Sequence, residues 1–192
     1  MRTRNLMLTI VLAASMGLAA CSGEDYGKTI AQGRCVAFAD GKVTFVKDSN
    51  TDPKKSANYE NKALTFKLPS DPKEIGPEPQ AGSFIDFDAD KKEVKVFKDG
   101  NLVTSPVEIV NVEKGIENFN SKVKGKKFPM INADKKEVTI YIKKTLATFK
   151  APADLPLDEA FWVKGDDVRV FFKEEGKALR FMNITKTNIF KK

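Results

Sequence analysis

From Cys35 onward the chain is written in short β-branched and aromatic runs, broken every few residues by Asp, Gly, Asn, Pro or Lys. Nowhere in that span do apolar residues recur at helical spacing long enough for an amphipathic helix. This texture confines the chain to an antiparallel all-β fold. The clearest strand is Val138-Thr139-Ile140-Tyr141-Ile142-Lys143. Val138, Ile140 and Ile142 share one face, and Thr139, Tyr141 and Lys143 share the other, so one side belongs to a core.

Four blocks recur in order along the body. Ala39 to Thr44 is answered by Ala133 to Thr139, and Phe66 to Asp71 by Phe149 to Asp154. Val94 to Phe97, with Gly100 and Leu102, is answered by Val168 to Phe171, with Gly176 and Leu179; Ile109 to Lys114 is answered by Phe181 to Lys186. Recurrence in order predicts a duplication: a first β unit over 35–116, a connector over 117–126 and a second unit over 127–192. Each unit has enough short strands to curl into a small tandem barrel, whereas a two-stranded ribbon could not stand alone. The strand pair around Gly165 to Thr185 resembles that of OB-like or SH3-like barrels, which many unrelated folds share. One continuous sandwich is the alternative. A second match, Ala89-Asp90-Lys91-Lys92-Glu93-Val94 against the letter-identical Ala133 to Val138, reads as shared turn chemistry.

The chain has no histidine, which removes Ser-His-Asp and Cys-His catalysis and metal or haem sites built on imidazole. No phosphate loop or nucleophile elbow is present. Of the 2 cysteines, Cys35 lies in the apolar run Cys35-Val36-Ala37-Phe38 and reads as a small buried hydrophobe. Asp86, Asp88 and Asp90 alternate along an extended segment and are the best metal candidates. A calcium loop starting at Asp86 would nevertheless put Lys91 where glycine is wanted and Phe97 where a bidentate glutamate is needed. A solvated strand edge and turn is the plainer reading. The loops Asp48 to Asn61 and Ser70 to Gly82, longer in the first copy, are where function is easiest to host. In the second of them Pro72, Pro77 and Pro79 make a stiff connector. Phe161-Trp162-Val163 and Phe171-Phe172 pack between the two units or expose an aromatic patch.

Ahead of this body, Arg2 and Arg4 precede the uncharged run Leu6 to Leu18, which is followed by Ala19, Ala20 and Cys21. Leu18-Ala19-Ala20-Cys21 resembles the lipobox of bacterial lipoprotein precursors. The resemblance implies a signal peptide over 1–20, removed on export, diacylglycerol on the Cys21 sulfur and a fatty acyl chain such as palmitate on its new amine. Several chains hold a protein at a bilayer far more firmly than one, at roughly 0.8 kcal/mol per buried methylene. Ser22 in place of Asp implies the outer membrane, facing the periplasm, in a Gram-negative host. The small, polar residues of 21–34 read as a tether. Without Arg2 and Arg4 the net charge of +7 falls to about +5, and the lysines are dispersed rather than gathered in one arm.

The expectation is therefore a lipid-anchored envelope module that binds or scaffolds a protein or glycan partner, with no cofactor, no enzymatic activity and no nucleic acid. A binding protein for a small ligand or divalent cation, using a cleft between the copies or Asp86, Asp88 and Asp90, is the alternative. Third is a hydrolase with two carboxylates facing across a groove.

Overall fold

The computed structural model describes residues 30–50, 52 and 55–187. The expected signal peptide, Cys21 and residues 21–29 of the expected tether lie outside them. In chain order the first strands are β1 (Ile30–Ala39), β2 (Lys42–Asp48), β3 (Tyr59–Lys67), β4 (Phe84–Asp88), β5 (Glu93–Lys98) and β6 (Asn101–Pro106). They are followed by β7 (Ile109–Lys114), β8 (Met130–Asn132), β9 (Glu137–Ile142), β10 (Thr145–Lys150), β11 (Asp167–Glu174) and β12 (Lys177–Asn183). The fold is all-β, as its alternating texture dictates.

The strands do not divide at the expected boundary. β1, β2 and β3 form an antiparallel meander, and the last two strands of the chain return to close it into a five-stranded barrel of order β1-β11-β12-β3-β2. Its core gathers Cys35, Val43, Phe45, Phe66, Val168, Val170 and Phe181. The Phe45 and Phe66 rings stack at 5.8 Å, and Phe172 tilts onto Phe66 at 4.9 Å. Closure is thinnest between β3 and β12, which run parallel through a single pair, Lys67 with Lys177. The Lys67 amide seals the gap by donating to the Gly176 carbonyl at 2.8 Å.

Everything between β3 and β11 is an insertion. Its strands make two sheets, β4-β5-β6 and β7-β10-β9-β8, which share one core of Phe84, Phe87, Val94, Val96, Val138, Ile140, Phe149 and Trp162. Tandem units over 35–116 and 127–192 are thus replaced by a barrel made from both ends of the chain and a two-sheet body made from its middle. The first two recurrent blocks keep like pairings, β2 with β3 and β9 with β10, but the fourth does not. β7, from the fourth block, pairs antiparallel with β10, while its counterpart β12 lies parallel to β3. The stretch 117–126 is likewise no connector between units. It is a run of turns inside the inserted body, held by buried Val123 and by the Tyr141 hydroxyl donating to the Ile116 carbonyl at 2.6 Å.

Two further expectations change with this topology. β1 begins at Ile30, so the last residues of the expected tether are barrel strand, with Ala31, Gln32 and Arg34 buried. Phe161 and Trp162 lie in a turn, and the aromatics divide between the two cores, with Phe161 and Trp162 in one and Phe172 in the other. Trp162 is fully buried in the inserted body, its indole N–H donating to the Pro156 carbonyl at 2.8 Å, while Phe172 serves the barrel. The proline-rich loop after β3 is a connector laid along β12. A short 3-10 turn, Pro72–Glu74, is capped by Asp71, and the Gly76 amide donates to the Phe181 carbonyl at 2.9 Å.

The inserted body leaves and rejoins the barrel through a narrow neck. Gly82 donates to the Cys35 carbonyl at 3.2 Å, and the Cys35 amide donates to the Asp166 carbonyl at 2.9 Å. A Cβ on Gly165 would lie 1.9 Å from the Cys35 oxygen, and one on Gly82 would lie 2.1 Å from the Val163 oxygen. Only glycine lets the two arms cross so closely. Beside the neck, Val46 and Tyr59 of the barrel pack with Ile85 of the body, and the Leu102 amide donates to Asn61 Oδ1 at 2.9 Å.

Candidate functional site

At the seam between barrel and inserted body lies a cleft of about 300 Å³, lined by β1, β11, the loop after β2 and two lysines of the inserted body and its exit arm. Its size is at the lower end of small-ligand pockets. The floor is Arg34. Alternation along β1 turns Gln32 and Arg34 to one face, and barrel closure then surrounds Arg34 until the residue is only 2% exposed. A buried charge is tolerated when it is paired and hydrogen-bonded. Arg34 Nη1 meets Asp167 Oδ1 at 3.0 Å and donates to the Gly165 carbonyl at 3.1 Å, while Nη2 donates to the Tyr59 hydroxyl at 2.7 Å. Its Nε is buried without a partner. Burial pushes the Tyr59 phenol up, against the pull of the adjacent guanidinium, so the ring stays neutral.

Two residues back, Gln32 links the walls. Its Oε1 accepts from Arg169 Nε at 3.1 Å and Nη2 at 2.7 Å, and its Nε2 donates to the Asn50 carbonyl at 2.6 Å. Asp48 Oδ1 accepts from the amides of Asn50 at 2.9 Å and Asn58 at 2.7 Å, which fixes the base of the loop after β2. The other wall is Lys143, in the β9–β10 turn, and Lys164, in the exit arm. Lys143 Nζ meets both oxygens of Asp86 at 2.9 Å.

A larger groove of about 480 Å³ adjoins the cleft, sharing Ala57 and Lys143, and contains Asp86, Asp88 and Asp90. The structure brings the three carboxylates to one groove but gives each its own partners. Asp86 holds Lys143, and Asp90 Oδ1 meets Lys114 Nζ at 2.7 Å. Asp88 Oδ1 accepts from the amides of Lys91 and Asp90, both at 3.0 Å, and the Lys91 hydrogen bond is the main reason its carboxyl lies below the ordinary value. All three come from β4 and the turn after it, not from facing walls. Among the described residues no group of three His, Cys, Asp or Glu side chains is set to hold a metal ion. Cys35 is buried, and its thiol is pushed up to about 12, first by desolvation and then by Asp166.

Sequence reasoning named two loops, Asp48 to Asn61 and Ser70 to Gly82, as the easiest hosts of function. Residues of the first line the cleft and none of the second do, and Gln32, Arg34, Lys143 and Lys164 were not singled out as site residues. The alternation of Gln32 and Arg34 with Ala31, Gly33 and Cys35 was the available signal.

A barrel interrupted by a two-sheet body, with a charged cleft where the two meet, defines a two-body β protein organised around a ligand-sized seam. The chain belongs to the family described as Domain of unknown function (DUF4881), whose model matches residues 25–192. No curated protein and no solved structure matches it.

Proposed function

We propose that this chain is a non-enzymatic binding module, held on the periplasmic face of the outer membrane by lipid on Cys21, that takes its ligand in the cleft between barrel and inserted body. The observation that carries the reading is the buried Arg34 network. Tyr59 of β3 and the stretch from Gly165 to Asp167, far apart in sequence, converge on one guanidinium at the cleft floor, an arrangement that fixes polar groups before anything binds. The strand order β1-β2-β3-β12-β11, with a parallel β3–β12 contact, supports an OB-like reading of the barrel. Absence of histidine from the whole chain, and the pairing of Asp86 and Asp90 with lysines, favour binding over hydrolysis.

A photo-crosslinking amino acid at Ala57, which lines the cleft, is the test in intact cells, with the same probe at exposed Lys73 as comparison. Adducts specific to position 57 are expected. Equal labelling from both positions, or none from either, defeats the reading. The anchor is tested separately: Cys21→Ala yields an unprocessed or soluble product, and unchanged membrane retention after correct cleavage refutes lipidation.

A further inference from the structure

The charges around the cleft do not all find partners. Arg34 is matched by Asp167 at 3.0 Å and Lys143 by Asp86 at 2.9 Å. Lys164 lines the same cleft as Arg34, Asp167 and Lys143, and makes no side-chain hydrogen bond or ion pair among the described residues. Its ammonium is held below the usual lysine range, first by desolvation and next by the Arg34 guanidinium. The residue as a whole is exposed, while its ammonium is partly desolvated. Farther along, Arg169 rests on the neutral amide oxygen of Gln32 and on no carboxylate. On the loop side, Asp48 spends Oδ1 on two backbone amides.

Resting on the proposed binding role of this cleft, we infer that its ligand is a small molecule carrying a single carboxylate, and that Lys164 is the residue that contacts it. The chemistry follows from the count of partners. Among the described residues five cations, Lys164 and Arg169 among them, line the cleft against three carboxylates, Asp48, Asp52 and Asp167, and a fourth, Asp86, is paired with Lys143. One further negative charge balances the group. A dianion would leave it as unbalanced as before, and Asp48 in the same cleft would repel the excess. A carboxylate also accepts a charge-assisted hydrogen bond from an ammonium with no other donor to compete.

The experiment titrates the full chain, in detergent micelles, with N-acetylglycine, and follows backbone amide signals of Arg34 and Gly165 by nuclear magnetic resonance. N-acetylglycinamide, which lacks the charge, and inorganic phosphate are the comparators. Saturable shifts with the acid and none with the amide are expected, and Lys164→Gln or Lys164→Met weakens the acid by about tenfold. Lys122→Gln, which removes an exposed lysine paired with Glu113, leaves the affinity unchanged. Equal binding of acid and amide, tighter binding of phosphate, full affinity in both Lys164 variants, or no saturable shift overturns the inference. If the Ala57 probe still gives position-specific adducts in any of those cases, the cleft reading stands and only the carboxylate assignment falls. If the adducts fail too, both fall.

Discussion

Two buried ionisable side chains make the fold sensitive to alkali. The Cys35 thiol ionises near 9.0 when unfolded and is pushed up to about 12 in the folded protein by desolvation. Between those values the unfolded chain loses a proton that the folded chain keeps, so stability is complete below about 9 and falls as pH rises, by about 1.4 kcal/mol per unit. Tyr59, also raised by burial, adds a loss of the same sign at higher pH. Urea midpoints at pH 8 and pH 10.5 therefore separate more in the parent than in Cys35→Ala; equal separations would show that the thiol is not what titrates. At the floor of the cleft, Tyr59→Phe removes the acceptor for Arg34 Nη2 and costs about 1–3 kcal/mol by chemical denaturation. Cys35 was legible as a buried hydrophobe from its apolar neighbours. Arg34 was not, because a polar residue among small ones reads as surface until a distant strand closes over it.

Among the elements, the hairpin turns differ in how openly they announce themselves. Asp40-Gly41 and Asp99-Gly100 carry positive φ at both positions, with angles of 52°, 67°, 49° and 82°, and their glycines mark them as two-residue turns. The twin hexapeptides beginning at Ala89 and Ala133 also fold alike, with Lys92 at φ 56° and Lys136 at φ 53° as the residues before β5 and β9. Their letter identity thus coincides with shared turn geometry. The β9–β10 turn is different, because Lys143 and Lys144 occupy the left-handed region at 50° and 60° with no glycine to signal it. Each residue costs about 1–2 kcal/mol there, and the ion pairs of these lysines with Asp86 and Glu117 are exposed enough on the lysine side to return little of it. Local strain of this kind collects at functional positions, and Lys143 lines both the cleft and the larger groove. Lys143→Asn with Lys144→Gly is expected to raise the thermal midpoint, by relief of about 1–2 kcal/mol, while weakening the cleft for its ligand. A rise in stability with undiminished binding would mean that the strain serves no site.

For the molecule as a whole, strand content was readable locally and connectivity was not. Alternation identifies a strand and its buried face, but says nothing about whether β11 will meet its neighbour in sequence or β1, far back in the chain. The recurrence of similar blocks favoured tandem units, whereas the return of β11 and β12 to the first meander makes the middle of the chain an insertion. Such an architecture either melts as two bodies or as one, and the neck decides which. Ile85 and Val46 are fully buried in a cluster shared across the seam, and the Cys35 backbone is bonded to both arms, through Gly82 and Asp166. Losing either body would expose that cluster, and losing the insertion would also free the Gly165 arm from Arg34, which couples the two. Two built-in probes separate the bodies: Trp162, the only tryptophan, lies in the insertion's core and Cys35 in the barrel's. In a Cys21→Ser chain, tryptophan fluorescence and pulse labelling of the Cys35 thiol are expected to report one urea transition with a common midpoint. Gly165→Ala, whose new Cβ would stand 1.9 Å from the Cys35 oxygen, should lower both midpoints together, by about 3 kcal/mol or more. Divergent midpoints in the parent chain, or a Gly165→Ala effect confined to one probe, would show that barrel and insertion fold independently and that the cleft between them is not held rigid by the neck.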